Sequence, residues 1–277
     1  MSGWRSLVSR NVATLVDPPR VTKHEIRPFT PEQARSFLDA VAGHRLEALF
    51  SVAIALGLRQ GEALGLQWPD VDLAAGVLHV RHALQRCGGD PVTRRRLLAD
   101  RKRLKRELLG AAGGHSKRAA LHADLVAVRQ QLKAVRATLR LVEPKSVRSR
   151  RSIQMPALVV KALKAHRVRQ LEERLAIGTR WADSGFVFTT SIGTPMDARN
   201  VTRAFSAVVR AANLPPVRFH DLRHTAASLL LAQGVAPRTI METLGHSQIS
   251  LTLDTYAHIM PTLQQDAAQQ MNAILTR

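Results

Sequence analysis

The sequence predicts a mainly helical α+β domain with a small antiparallel β-sheet. Helical apolar periodicity recurs along most of the 277 residues, whereas alternating strand patterns are short and confined to residues 71–84 and 150–155. Hydrophobic residues make up 45% of the chain, enough to build one large domain or two small ones. A basic segment of different composition, residues 88–142, indicates an insertion within this domain.

The first elements follow from capping and turn signals. Residues 1–29 show no long periodic pattern and contain several prolines, which indicates an N-terminal linker. Thr30-Pro31-Glu32-Gln33 is a capping-box pattern with proline at the first helical position, and it predicts the start of a helix. Two more helices are expected over residues 46–56 and 61–66, with Gly57 ending the first of them.

The insertion has the pattern of a helical hairpin. It contains fourteen Lys or Arg and four Asp or Glu, and so carries half of the net charge of +20. Six apolar residues spaced alternately four and three apart form a heptad seam, namely Leu121, Leu125, Val128, Leu132, Val135 and Leu139. Leucines within residues 94–109 offer a partner stripe across a turn at residues 110–114. The charges either solvate the outer face or form an arm that contacts DNA or a partner protein.

The remaining elements are strands near the insertion and helices after it. Residues 71–73 and 77–80 predict a β-hairpin, and residues 150–155 predict a further strand. A compact, mainly helical lobe is expected after the strands, with short Gly or Pro turns. Its helices are expected at residues 158–177, 199–212, 220–233, 237–244, 250–258 and 262–275.

Charge and cysteine content narrow the class of protein. The 41 Lys or Arg against 21 Asp or Glu give a sequence pI near 11.6, which favours a nucleic-acid partner, although anionic membranes would also attract such a chain. The single cysteine, Cys87, excludes an intrachain disulfide and fits a reducing compartment. The most apolar stretch, residues 46–58, is too short to span a bilayer. A cytoplasmic protein without membrane insertion is expected.

Several polar residues stand out by their spacing. Glu62 lies three residues after Arg59 and could hold its guanidinium from behind, and a helix would place His220 and Arg223 on one face. His220 and His224 have the spacing of a helical zinc site. The general-base glutamate of such sites is missing, however, and Arg223 would repel a dication, so we expect neither a metal nor another cofactor.

Tyr256 is the only tyrosine, and it follows His246 by ten positions. Four ordered motifs resemble the catalytic boxes of the tyrosine recombinase family, the phage-type integrases. They are Gly57-Leu-Arg59-Gln-Gly-Glu62, His220-Asp-Leu-Arg223-His-Thr, Leu244-Gly-His246 and Asp254-Thr-Tyr256. A fifth segment, residues 144–150, resembles the family's lysine turn between two strands. The resemblance implies a tyrosine recombinase-like catalytic domain over residues 30–277, with the basic hairpin at 88–142 inserted into it.

The resemblance also implies a mechanism. Tyr256 would attack the scissile phosphate of double-stranded DNA, which leaves a 3'-phosphotyrosyl bond and a free 5'-hydroxyl. Lys145 would protonate the leaving oxygen, while His220 would accept the tyrosine proton or orient the site. Glu62 would support Arg59 from the second layer. The groups implied to stabilise the phosphorane are Arg59, Arg223 and His246.

The family pattern further implies partners and leaves alternatives. A helix at residues 262–275 would dock on a neighbouring protomer in a homotetramer on DNA, or pack on its own domain, and DNA-bending accessory proteins could assist. Only about 28 residues precede the catalytic match, where the family usually has a core-binding domain. A truncated remnant integrase that binds DNA without productive recombination is therefore the alternative. A type IB topoisomerase would share the chemistry. An RNA-binding protein is disfavoured, because few aromatic residues are present to stack on RNA bases.

Overall fold

The computed structural model describes residues 28–110, 115–135, 137–143, 150–245, 269 and 271–275. Helices form the bulk of the fold, and short antiparallel strands lie between the third and sixth helices. The helices are α1 (Pro31–Ala40), α2 (Glu47–Leu56), α3 (Gln60–Leu64), α4 (Pro91–Gly110), α5 (His115–Ala134), α6 (Ala157–Ile177), α7 (Ala198–Ala211), α8 (Asp221–Ala232) and α9 (Pro237–Leu244). The strands are β1 (Val71–Asp72), β2 (Val77–Val80), β3 (Ala83–Cys87), β4 (Thr138–Val142) and β5 (Arg151–Gln154). The predicted mainly helical α+β fold class is confirmed.

Local signals define the helix ends as predicted. The Thr30 hydroxyl accepts a hydrogen bond from the Gln33 backbone at 3.2 Å, and the Gln33 side chain accepts one from the Thr30 backbone at 3.0 Å. This reciprocal capping box begins α1. At the carboxyl end of α2, Gly57 takes a left-handed conformation with φ of 60° and ends the helix.

The core is centred on α2, which is apolar on all sides. Eight of its ten residues are buried, because the helix packs between α6 and α8 and also contacts α1. Four phenylalanine rings from four different segments meet there, with centroid separations from 5.5 to 6.3 Å. They are Phe37, Phe50, Phe205 and Phe219.

The strands form two separate antiparallel sheets. In the first, the order is β1-β2-β5, and Leu78 pairs with Ile153 at its centre. The second is the two-stranded ribbon of β3 and β4. The hairpin of α4 and α5 connects these two paired strands, so the insertion lies at the turn end of the ribbon. The predicted β-hairpin, strand and helical insertion are therefore all present.

The heptad seam extended the predicted helix too far. Helix α5 ends at Ala134, and Leu139 lies in β4, where it pairs with Arg86 of β3. The segment Thr138–Val142 alternates in polarity, so Leu139 and Leu141 share one strand face and pack partly buried against the core. Backbone pairing with β3 therefore overrides the last position of the heptad. The helix predicted at residues 250–258 lies outside the described residues, and of the last helix only residues 269 and 271–275 are described, as helical.

No helix within the described ranges has both the length and the apolar character required to cross a membrane.

Replacing Phe205 tests the aromatic core. Its side chain is fully buried, with ring centroids 5.5 Å from Phe37 and 5.6 Å from Phe219. Phe205→Ala should lower the free energy of unfolding by about 3–5 kcal/mol, because the cavity cannot collapse fully. Chemical denaturation monitored by circular dichroism measures this. Val168→Ala on the exposed side of α6 is the control, and equal midpoints for both variants would contradict the assignment of this core.

Candidate active site

Arg59 lies at the junction between α2 and α3 and is held by Glu62. Its Nη1 donates to Glu62 Oε1 at 2.7 Å, and its backbone N–H donates to Oε2 at 3.1 Å. The Glu62 side chain is 4% exposed, whereas 41% of the Arg59 side chain is exposed. Glu62 therefore holds the buried side of the guanidinium, and the other side of the guanidinium is exposed at the surface. The predicted contact between the two residues is present.

A second arginine, which the sequence motifs did not identify, shares the same carboxylate. Arg151 in β5 donates from Nη2 to Glu62 Oε2 at 3.0 Å and from Nε to the carbonyl of Thr243 at 2.6 Å. Arg59 Nη2 donates to the carbonyl of Gly245 at 3.2 Å. These bonds connect α3, β5 and the carboxyl end of α9. We call Arg59, Glu62 and Arg151 the buried triad after its buried carboxylate, although Arg59 itself reaches the surface.

Opposing effects act on the Glu62 carboxyl. Burial raises the pKa of Glu62, but the charges and hydrogen bonds of Arg151 and Arg59 outweigh it and hold the pKa below its usual value. The carboxylate is thus charged at neutral pH and remains a strong acceptor for both guanidinium groups. Without these two partners, a charge buried to this degree would be costly.

Arg223 on α8 contacts the turn that precedes Arg59. It is 2% exposed, and its Nη1 donates to the carbonyl of Gly57 at 2.8 Å. A Cβ atom at Gly57 would lie 3.6 Å from Arg223 Cγ and would clash with Leu244 of α9. Glycine is therefore required at this position both for the left-handed turn and for the close approach of α8 and α9.

The start of α8 is anchored by Asp221. Its carboxylate accepts hydrogen bonds from the Arg218 backbone at 2.8 Å and from Arg218 Nη2 at 2.9 Å. Thr225 Oγ1 donates to the Asp221 carbonyl at 3.1 Å and accepts from the Phe29 backbone at 3.0 Å. The helix start is therefore tied to the preceding loop and to the N-terminal side of α1. This fixes His220, the residue immediately before α8.

Two histidines meet at this helix start. The rings of His220 and His224 are 5.3 Å apart and nearly perpendicular. Burial against the surrounding protein, followed by the charge of Arg223, lowers the pKa of His220, although part of its side chain is exposed. Burial and the neighbouring His220 lower the pKa of His224 to about 4. Both rings are therefore neutral at pH 7, and either can accept a proton.

The structure brings together Arg59, Glu62, Arg223 and His220 from two distant parts of the sequence. Arg59 and Arg223 lie close enough to His220 that their charges contribute to lowering its pKa. Three further predicted residues lie outside the described residues, namely Lys145, His246 and Tyr256. Their neighbours in the sequence are described. Strands β4 and β5 flank the segment that contains the lysine, and the carbonyl of Gly245, which precedes the histidine, accepts a hydrogen bond from Arg59. Among the described residues no group of three or more His, Cys, Asp or Glu is positioned to hold a metal ion.

Sequence spacing had identified Glu62 because it is close to Arg59 along the helix. Arg151 carried no comparable signal, since it belongs to a basic run of arginines that differ only in their position on the strand. The strand period places Arg151 and Ile153 on one face, and Ile153 is a core residue. An arginine in phase with buried residues of a predicted strand is the signal that could have found it.

Arg151→Met tests the buried triad. The methionine would leave the buried carboxylate of Glu62 with one cationic partner, so the free energy of unfolding should fall by about 3 kcal/mol. Arg238→Met is the matched control, because Arg238 forms an exposed pair with Glu242 that should contribute less than about 1 kcal/mol. Chemical denaturation measures the free energy of unfolding of both variants. An equal loss in the two variants would show that the triad stabilises the fold no more than an exposed ion pair does.

The histidine pair predicts a pH dependence of stability. His224 has an ordinary pKa of 6.5 when unfolded and about 4 when folded, so the unfolded chain binds more protons within this range. Lowering the pH from 6.5 towards 4 should therefore lower the melting temperature. His224→Gln should flatten the profile in this window, whereas the exposed His122→Gln should not. Parallel profiles for all three proteins would show that His224 does not cause the dependence.

Comparisons with known proteins identify several relatives of this chain. Residues 130–262 match the family model described as phage integrase family. The chain is 33% identical over 258 residues to a tyrosine recombinase XerC-like protein of Caldanaerobacter subterraneus subsp. tengcongensis, an alignment that covers 92% of this chain and 56% of the relative. An integrase of Saccharopolyspora erythraea is 30% identical over 277 residues, covering 97% of this chain and 62% of the relative. The chain thus spans somewhat over half the length of these curated relatives.

Solved structures share the fold. The Tn1549 transposon integrase in complex with transposon right end DNA has a TM-score of 0.60 at 22% identity, covering 97% of this chain and 71% of that chain. The XerA recombinase has a TM-score of 0.54 at 21% identity, covering 94% of this chain and 67% of that chain. At such identities the likeness concerns the fold alone. Residues 130–262 thus carry a phage integrase family domain, and most of this chain is similar in sequence to proteins named tyrosine recombinase and integrase.

Proposed function

We propose that this chain catalyses site-specific recombination of double-stranded DNA through a 3'-phosphotyrosyl intermediate at Tyr256. Residues 30–277 would form the catalytic domain, interrupted by the helical hairpin. The observation that carries the proposal is the convergence of Arg59, Arg223 and His220 around Gly57 and Glu62. Relatives named tyrosine recombinase and integrase support it.

The arrangement suits a phosphoryl transition state. Two guanidinium groups arrive from different helices, each with planar N–H donors that match non-bridging phosphate oxygens. Arg59 is anchored by Glu62 on one side while its exposed side can face a ligand. Donors that are fixed before the reaction need no reorganisation as negative charge develops, and this is the main source of transition-state stabilisation in such sites.

A neutral His220 fits a role in proton transfer. At neutral pH its lowered pKa leaves a lone pair available, so it can accept the phenolic proton of Tyr256 as the tyrosine attacks. The phosphodiester bond breaks as the O–P bond to tyrosine forms, and the departing 5'-oxygen takes a proton from Lys145. Because the new bond retains the energy of the old one, a 5'-hydroxyl from a second DNA can reverse the step without ATP.

His246 is proposed as a third group that stabilises the phosphorane. The residues that precede it in the sequence support this role, because the Gly245 carbonyl accepts a hydrogen bond from Arg59 and the Thr243 carbonyl accepts one from Arg151. The proposed partners are duplex DNA and, through the segment at residues 262–275, further copies of this chain in a tetramer. Accessory DNA-bending proteins and action at the bacterial nucleoid belong to the same proposal.

A covalent trapping experiment tests the function. Nicked duplexes taken from the DNA that flanks the gene should yield an SDS-resistant protein–DNA adduct with the wild-type chain and none with Tyr256→Phe. An adduct that persists in Tyr256→Phe would refute the proposed nucleophile. Binding without any adduct would favour the remnant integrase, and relaxation of a single supercoiled plasmid without strand exchange would favour a topoisomerase.

Arg59→Lys tests whether the reaction depends on the planar geometry of the guanidinium or only on its positive charge. An ammonium group keeps the positive charge but lacks the planar fork that can hold Glu62 and a phosphate together, so adduct formation should slow by about 10²- to 10³-fold. Single-turnover kinetics on the nicked duplex measure this rate. Arg238→Lys, on the exposed side of α9, is the control and should react at the wild-type rate. A similar rate for both variants would exclude Arg59 from the reaction.

A further inference from the structure

The hairpin of α4 and α5 is a separate packing unit. Within the described residues these two helices pack mainly against each other, and Leu97, Leu104 and Leu125 form their buried seam. The hairpin is anchored at its base, where Arg86 of β3 donates to the carbonyl of Ala137 at 2.9 Å and pairs with Asp197 at the start of α7. Its long sides are therefore available for contacts that the domain core does not make.

The side of α4 opposite this seam is basic. Arg95, Lys102 and Arg106 are exposed and recur at intervals of seven and four residues, which places them along one helical stripe. None of the three forms an ion pair with another described residue. We call these three residues the basic face. It extends over about 16 Å of the helix, at 1.5 Å per residue.

The acidic residues of the hairpin lie elsewhere. Asp100 and Glu107 are 3.6 and 3.8 Å from the guanidinium of Arg103, along the flank of α4. Asp100 and Asp124 line a cleft of about 450 Å³ between the two helices. Solvation alone would be achieved by interspersed charges of both signs. The segregation instead leaves a stripe of one sign, and this indicates an anionic partner.

The phosphate backbone of duplex DNA fits this stripe. A B-form duplex presents about ten phosphate charges over 16 Å, so three cations on a straight helix can each reach one. A second copy of this chain is a poor occupant because each copy carries a net charge of +20. The ribbon of β3 and β4 connects the hairpin to the region of the site, since β3 packs on α3, the helix of Glu62, and the hairpin follows the far end of this strand.

We propose that the basic face binds the backbone of duplex DNA beside the segment held at the candidate active site, without reading its sequence. This proposal rests on the proposed function for the position of the DNA. The interaction adds affinity through the release of counterions from the phosphates. It lies outside the buried triad and takes no part in the chemistry. The charges of the insertion then do more than solvate its surface.

The salt dependence of DNA binding tests this proposal. Fluorescence anisotropy compares the wild-type chain with Arg95→Gln/Lys102→Gln/Arg106→Gln on a short duplex that covers only the cleavage position and on a longer one. On the longer duplex the slope of log affinity against log salt should become shallower by about 0.9 for each phosphate that is no longer neutralised, or roughly 2 to 3 in all. On the short duplex the two proteins should have the same slope.

Two further variants control for charge and folding. Lys161→Gln/Lys164→Gln/Arg180→Gln removes the same charge from exposed positions of α6 and the turn after it, and should keep the wild-type slope. Arg95→Lys/Arg106→Lys keeps the charge of the basic face and should therefore also keep the wild-type slope. Glutamine is a good helix former, and unchanged melting temperatures would confirm that each variant is folded.

Three results would overturn the proposal. They are an unchanged slope on the longer duplex, an equal loss in the α6 variant, and a variant that loses only self-association on DNA. Adduct formation on the short nicked duplex is measured in parallel and should not depend on the basic face. If Tyr256→Phe forms no adduct but keeps the wild-type salt slope, then DNA binding by the basic face is separate from the proposed catalysis.

Discussion

The buried carboxylate of Glu62 is the constraint around which the rest of the site is arranged. It binds one arginine that reaches the surface and a second that is nearly enclosed, and the second in turn holds the end of α9. Removing charges from water is expensive, so such a group persists only where its hydrogen bonds are well satisfied. Here, one side chain sets the relative position of a helix start, a strand and a helix end.

The left-handed turn at Gly57 complements this arrangement. It ends the largely buried helix α2 and directs its carbonyl towards the guanidinium of Arg223. The two arginines are thus oriented by different means, one by a carboxylate and one by a backbone oxygen. Each guanidinium is thus held in place by the protein itself, as the proposed phosphoryl transfer would require of a preorganised site.

Local features of this fold were predictable, and long-range ones were less so. The capping box at Thr30, the helix end at Gly57 and the contact of Arg59 with Glu62 depend on residues close in sequence, so spacing alone reveals them. Arg151 acts on a residue 89 positions away, and nothing in its immediate sequence distinguishes it. Leu139 fitted the heptad yet forms part of a strand, because pairing with β3 satisfies its backbone.

The attachment of the hairpin has a consequence for evolution. Its two ends meet at the tip of a paired ribbon, where Gly89 approaches Ala137 so closely that a side chain at Gly89 would not fit. A helical hairpin joined in this way can gain or lose whole turns without altering the register of β3 and β4. Variation in the length of the hairpin would therefore leave the candidate active site unchanged, and the proposed reach along DNA could evolve separately from the proposed chemistry.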